Sequence, residues 1–179
     1  MEERNMKDNI KVLISQEKLE NRIKEMAEQM NKDYEGEALH IICILRGSVF
    51  FTCELAKSLT MPVTIDFMTV SSYRDQMKSS GSVDIMRELT DSIEGKNVLV
   101  VEDIIDSGNT LSCLLPLFQK QSPKSLKLCT LLDKPDRREV EVDVDYVGMQ
   151  IPDLFVVGYG LDFAQKYRNL PYIGVVEQE

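Results

Sequence analysis

The chain has 179 residues, which suits one domain large enough for a sizeable hydrophobic core. Its hydrophobic share of 43% and charged share of 28% are ordinary for a globular protein, and the apolar runs fall well short of the ~20 residues that cross a bilayer. The formal net charge of −9 argues against a broad nucleic-acid face, because such faces depend on Lys and Arg neutralising phosphates.

The N-terminus, Met1-Glu2-Glu3-Arg4-Asn5, is charged and no apolar h-region follows, so no secretory signal is expected. Cys43, Cys53, Cys113 and Cys129 have no CxxC spacing, and His40 is the sole histidine. A Cys/His zinc site is therefore not expected, and the cysteines read as buried free thiols in a reducing cytoplasm. In chain order, Val12-Leu13-Ile14 is a short apolar run after a polar start. Leu19, Ile23, Met26, Ala27 and Met30 recur at helical spacing and predict a core-facing helix. Ala38 to Leu45 predicts a buried strand that stops at Arg46-Gly47-Ser48, and a helix follows from about Val49 to Leu59. Val63 to Val70 is β-branched and apolar and predicts a strand. Residues 71–84 are polar with Ser and Gly, and a loop of that length in a compact domain is a functional lid or disordered.

Val98 to Val101 predicts the next buried strand, with Glu102 and Asp103 at its end. Asp106 follows two isoleucines, then comes the tight polar turn Ser107-Gly108-Asn109-Thr110 and a helix over Leu111 to Lys120 that Pro116 should kink or shorten. Further strands are predicted at Ser125 to Leu132, Val144 to Ile151, Phe155 to Tyr159 and Tyr172 to Val176. Strands alternating with helices define an α/β domain with a largely parallel sheet. Ligands bind such sheets at the carboxyl ends of the strands. The charged breaks Arg46-Gly47, Glu102-Asp103, Asp133-Lys134 and Asp162 fall there, so they predict one convergent site.

The 98–110 unit carries its own chemistry. A helix start offers free N–H groups and the positive end of a dipole to a phosphate. Carboxylates beside it suit sugar hydroxyls or a hard cation. The combination fits a phosphorylated, metal-bound sugar. Taken singly, the other residues say less: Phe155 reads as a core aromatic, and Asp162 and Arg168 as surface charges.

Val-Glu-Asp-Ile-Ile-Asp-Ser-Gly-Asn-Thr, residues 101–110, resembles the phosphoribosyl-pyrophosphate (PRPP) motif of type I phosphoribosyltransferases. Leu45-Arg46-Gly47, Ser72-Tyr73, Leu132-Asp133-Lys134, the run from Phe155 to Asp162, and Arg168 are similar in order and spacing to the hypoxanthine-guanine branch of that family. The resemblance spans roughly residues 10–176 and implies the type I fold: a central, mostly parallel sheet flanked by helices, in a single domain over 1–179, with a small hood formed partly by the chain ends. It implies purine salvage, in which PRPP and a 6-oxopurine, hypoxanthine or guanine, give a nucleoside monophosphate and pyrophosphate with Mg²⁺. Glu102 and Asp103 would take the ribose hydroxyls and help place the metal-bound ribose, Asp106 would move the proton near purine N7, and Ser107, Gly108, Asn109 and Thr110 would cradle the 5′-phosphate. Arg46, Gly47 and Arg168 would contact pyrophosphate, and the Leu45–Arg46 peptide can be cis in this family.

The resemblance further implies that Lys134 donates to the purine O6, Phe155 stacks on the ring, the Val156 backbone reads its edge, and Asp162 helps hold a second Mg²⁺ or its waters. Segment 71–84 would be a lid hinged near Ser72 and Tyr73. The family forms homodimers or homotetramers, works in the cytoplasm and needs no membrane or nucleic acid. Two relatives of this reading stay open at sequence level: a xanthine-preferring transferase, and a regulatory protein that senses PRPP or a nucleotide on the same fold. Arg46 departs from the lysine common in relatives, and Arg74 stands where they often have glycine.

Overall fold

The computed structural model describes residues 9–71 and 84–177. A six-stranded sheet has the order β4-β3-β2-β5-β6-β7, built from β2 (Leu39–Leu45), β3 (Val63–Ser71), β4 (Asp84–Arg87), β5 (Asn97–Ile105), β6 (Ser125–Asp133) and β7 (Tyr146–Gln150). All its pairings are parallel except that of β4, which runs antiparallel to β3 at the edge. A second, three-stranded antiparallel sheet joins β1 (Asn9–Ile14), β9 (Ile173–Glu177) and β8 (Val156–Val157), in the order β1-β9-β8. Segments from both ends of the described chain thus meet in the small hood that the resemblance implies.

The central strands are apolar on both faces because helices cover both. Along β5, Leu99 and Val101 enter one core with Leu19, Ile23, Met26 and Met30 of α1 (Gln16–Asp33) and Phe51 and Leu55 of α2 (Val49–Ser58). Val98 and Val100 point the other way, into a core with Leu111, Leu114 and Phe118 of α3 (Asn109–Gln119). The two-residue period of a strand makes this division automatic. The helical stripe read in the sequence over 19–30 is the buried face of α1, and Ser15 caps that helix by accepting from the Lys18 N–H at 3.3 Å.

Four sequence expectations need correction. The strand expected to end at Val101 continues to Ile105, because β6 keeps pairing with it: Glu102 lies opposite Thr130, Ile104 opposite Leu132, and Ile105 opposite Asp133. The following helix starts at Asn109 rather than Leu111 and runs through Pro116 to Gln119. Phe155 precedes its strand, which is only Val156–Val157, so it lies outside the ladder and is exposed. Of the cysteines, Cys43 and Cys129 are buried, whereas Cys53 is exposed and Cys113 half-buried. The edge strand β4 carried no pattern strong enough to be read in advance.

Candidate active site

Three strand ends, a helix start and one long loop meet at the carboxyl edge of the sheet. At the end of β2 the Leu45–Arg46 peptide is cis, and Gly47 is buried. A Cβ on Gly47 would collide with the carboxylate of Asp103 on β5, so glycine is what allows the two backbones to approach. The next residue, Ser48, is fully buried and ties this turn to its own strand. Its hydroxyl donates to the Ile44 carbonyl at 2.5 Å and sits 3.1 Å from the Cys43 thiol.

The extension of β5 changes what the acidic pair can do. Glu102 and Asp103 lie near the end of a central strand whose register with β6 pairs Glu102 with Thr130 and Ile104 with Leu132. Burial is the main force raising the Glu102 carboxyl well above its usual range, and the neighbouring Asp103 charge adds to it. Its Oε2 is buried without a hydrogen-bond partner among the described residues. Burial also pushes Asp103 up to about 6, against the pull of the Ile104 N–H, which its Oδ1 accepts at 2.8 Å, and of the Arg168 charge. Two half-buried hard oxygen donors with free lone pairs suit Mg²⁺, which is commonly held by one or two carboxylates together with substrate oxygens and water. Among the described residues no cluster of three or more His, Cys, Asp or Glu could enclose a metal alone.

Asp106 is the first residue beyond β5. Its Oδ1 is buried and lies 3.2 Å from the ammonium of Lys134, which is 7% exposed and follows β6 directly. The Lys134 N–H donates to the Ile105 carbonyl at 3.0 Å, so backbone pairing at the sheet edge sets the two side chains face to face. Among the described residues Asp106 Oδ1 has no hydrogen-bond partner, so its contact with Lys134 is an ion pair.

The turn after Asp106 is held open at a helix start. Gly108 has φ +83, a left-handed conformation, and a Cβ there would strike the Val140 carbonyl. The N–H groups of Glu139 and Val140 both donate to the Ser107 carbonyl at 3.0 Å, and Asn109 Nδ2 donates to Glu139 Oε2 at 2.8 Å. No side chain caps α3 at Gly108. Ser107 Oγ accepts the Asn109 N–H at 3.4 Å, and the rest of the first turn offers N–H groups that suit an anion. Beneath the turn, Arg138 pairs with the buried Asp133.

The fifth contributor is the loop between β8 and β9. Gly160, at φ +103, packs so closely on the Gly47 carbonyl that a Cβ would overlap it. Arg168 donates from Nη1 to the Gly160 carbonyl at 2.7 Å, and its Nη2 lies 2.7 Å from Asp162 Oδ1. The other Asp162 oxygen accepts the Gln165 N–H at 2.8 Å. Asp162 thus braces this loop. Phe155, 54% exposed, meets Phe163 edge-on with ring centroids 5.6 Å apart, while Val156 is buried beside it. Gln165 and Phe163 were not singled out in the sequence. Neither belongs to a periodic or acidic pattern, and both gain meaning only through the partners that the loop brings to them. Ser72 and Tyr73, read as the lid hinge, and the 72–83 part of segment 71–84 lie outside the described residues.

The fold and this edge define a phosphoribosyltransferase: the phosphoribosyl transferase domain family model matches residues 11–164. Hypoxanthine phosphoribosyltransferase of Buchnera aphidicola is 51% identical over 173 residues, covering 96% of this chain and 98% of that protein. The hypoxanthine-guanine phosphoribosyltransferase of Bacillus subtilis is 47% identical, with 96% of each chain covered. The crystal structure of a hypoxanthine-guanine phosphoribosyltransferase from Bacillus anthracis with a HEPES molecule in the active site superposes with TM-score 0.91. It is 50% identical and the match covers 94% of this chain and 100% of that one. The chain belongs to the hypoxanthine(-guanine) phosphoribosyltransferase family.

Proposed function

We propose that this purine-salvage transferase moves the 5-phosphoribosyl group of PRPP onto N9 of hypoxanthine or guanine, with Asp106 as the proton acceptor and Lys134 as the reader of the 6-oxo group. One observation carries the residue assignment: Lys134 Nζ and Asp106 Oδ1 stand 3.2 Å apart at one strand edge. A 6-oxopurine presents O6 and N7 side by side on one edge, O6 as an acceptor. An ammonium beside a carboxylate matches that edge when the ring carries its proton at N7. Lys134 donates to O6, and the N7 proton passes to Asp106 as N9 bonds to the ribose. Adenine offers an amino donor where O6 would be, so it would set donor against donor and leave a buried charge unpaired.

The ribose 2′- and 3′-hydroxyls donate to Glu102 and Asp103. The 5′-phosphate sits on the N–H groups of the 107–110 turn, assisted by the Ser107 and Thr110 hydroxyls. Arg46, the Gly47 N–H and Arg168 take the pyrophosphate. Phe155 stacks on the purine and the Val156 backbone meets its edge. Bond exchange at the anomeric carbon separates charge between an oxocarbenium-like ribose and the departing pyrophosphate, so the main work is positioning and charge stabilisation. Glu102 and Asp103 would help hold Mg²⁺, which would supply positive charge against the departing pyrophosphate. On the same reading the chain works in the cytoplasm as a homodimer or homotetramer, with segment 71–84 as its lid.

A PRPP-dependent assay with hypoxanthine, guanine, xanthine and adenine in parallel tests this. Turnover of hypoxanthine or guanine well above adenine is the expected result. Equal use of adenine overturns the O6 assignment, and turnover of xanthine alone overturns the hypoxanthine and guanine preference.

A further inference from the structure

Arg46 and Arg168 come from loops far apart in the chain, yet their side chains converge on one atom. Arg46 Nη1 lies 3.2 Å from Gln165 Oε1, and Arg168 Nη2 lies 3.3 Å from the same oxygen. Two guanidiniums repel each other, and neither position is deeply buried. Something must hold them together before an anion arrives, and a single amide oxygen does so here by accepting from both.

The Gln165 side chain is aimed by its own loop. Its backbone has φ +67, its neighbour Ala164 has φ +49, and its N–H is held by Asp162 Oδ2 at 2.8 Å. The other Asp162 oxygen holds Arg168, so one carboxylate fixes both the amide and one of the cations it gathers. Contact between Gly160 and the Gly47 carbonyl fixes the distance from this loop to the Arg46 turn.

The chemistry of the bridging group matters. A carboxamide accepts two charged hydrogen bonds without neutralising either cation. A carboxylate in its place would pair with both and compete with the incoming anion.

We propose that Gln165 is a positioning residue of the pyrophosphate subsite. Its side-chain oxygen gathers the Arg46 and Arg168 guanidiniums at a spacing that one oxygen of pyrophosphate, free or within PRPP, then takes over. The inference rests on the reading of Arg46 and Arg168 as pyrophosphate contacts, and the test separates the two.

The experiment is isothermal titration of pyrophosphate with Mg²⁺ into the full-length protein, alongside steady-state kinetics for PRPP and hypoxanthine. Gln165→Glu is expected to weaken pyrophosphate binding about tenfold and raise the PRPP KM in step, with the hypoxanthine KM unchanged. Gln165→Ala is expected to weaken it about threefold, because the cations stay charged but are no longer gathered. In an Arg46→Ala/Arg168→Ala background the Gln165→Glu penalty is expected to vanish. Since Gln165 is exposed, thermal melting of its variants should match the parent. Parental pyrophosphate affinity in Gln165→Glu, or an equal rise in the hypoxanthine KM, overturns the role of Gln165. Parental affinity in Arg46→Ala and Arg168→Ala overturns the underlying reading instead.

Discussion

Residues 102–110 and residues 158–168 both close on the Gly47 backbone, and they hold their side chains by opposite means. In the first segment a central strand runs straight into a helix start. Glu102 and Asp103 are placed by β5, Asp106 by the step just beyond it, and the 107–110 turn by the start of α3. In the second, Tyr159, Ala164, Gln165 and Tyr167 all have positive φ despite carrying side chains. Such conformations cost free energy and persist only where the surroundings over-determine them. Here Asp162 and Arg168 supply that constraint from within the loop, and Gly47 from outside it. Regular backbone places chemistry by sequence spacing, whereas the irregular loop places it by contacts with distant segments.

This contrast can be broken or sharpened by substitution. The largest effect is expected at Asp106. Asp106→Asn should lower kcat by about 100-fold or more while PRPP affinity stays within about threefold, measured by steady-state kinetics and titration. Equal losses in both would mean that Asp106 binds rather than moves a proton. Gly47→Ala comes next, because at the turn that both regions close on its methyl would displace the Asp103 carboxylate. A fall of about 30-fold in kcat/KM for PRPP is expected, roughly 2 kcal/mol. Gly36→Ala is the control: unlike Gly47 it has positive φ, but a Cβ there meets nothing within 4 Å, so it should cost some stability and leave kcat/KM alone. Lys134→Ala should cut the preference for hypoxanthine over adenine by about tenfold, read as a ratio of kcat/KM values. Unchanged preference would leave base choice to the Val156 backbone.

The smallest effect concerns stability. The folded Asp103 carboxyl titrates at about 6, above its ordinary value of 3.8. Between those values the folded state holds a proton that the unfolded state has lost. The resulting cost to folding is absent below the unfolded value, grows as pH rises, and is complete above about 6. Asp103→Asn should therefore raise the melting temperature of the ligand-free protein at pH 7.5 by about 3 °C. That gain should shrink as the pH approaches 4. A calorimetric scan at both pH values checks it, and a gain independent of pH would point to packing instead.

The legibility of the site follows the same division. The acid-turn-helix unit could be read because its residues are contiguous and each has a local physical reason to be there. The boundary of β5 was read four residues short, at Val101, because carboxylates look like a strand end. Only the pairing with β6 shows that the ladder continues beneath them. Phe155 was read within a strand from its apolar neighbours, yet its ring stands exposed against Phe163, a partner no periodicity could supply. The cysteines were read as alike from their apolar surroundings. The partial exposure of α2 and α3 separates Cys53 and Cys113 from the buried Cys43 and Cys129.

From the sequence alone came the α/β class, the amphipathic face of α1, the 107–110 turn and the three acids around it, since strand and helix periods and local turn chemistry are encoded within a few residues. The tertiary structure decided the 3.2 Å approach of Lys134 to Asp106, the glycine contacts that bring residues 47, 103 and 160 together, and the meeting of two arginines on Gln165. Those contacts join segments separated by tens of residues or more, and only closure of the sheet edge brings such segments within hydrogen-bonding range.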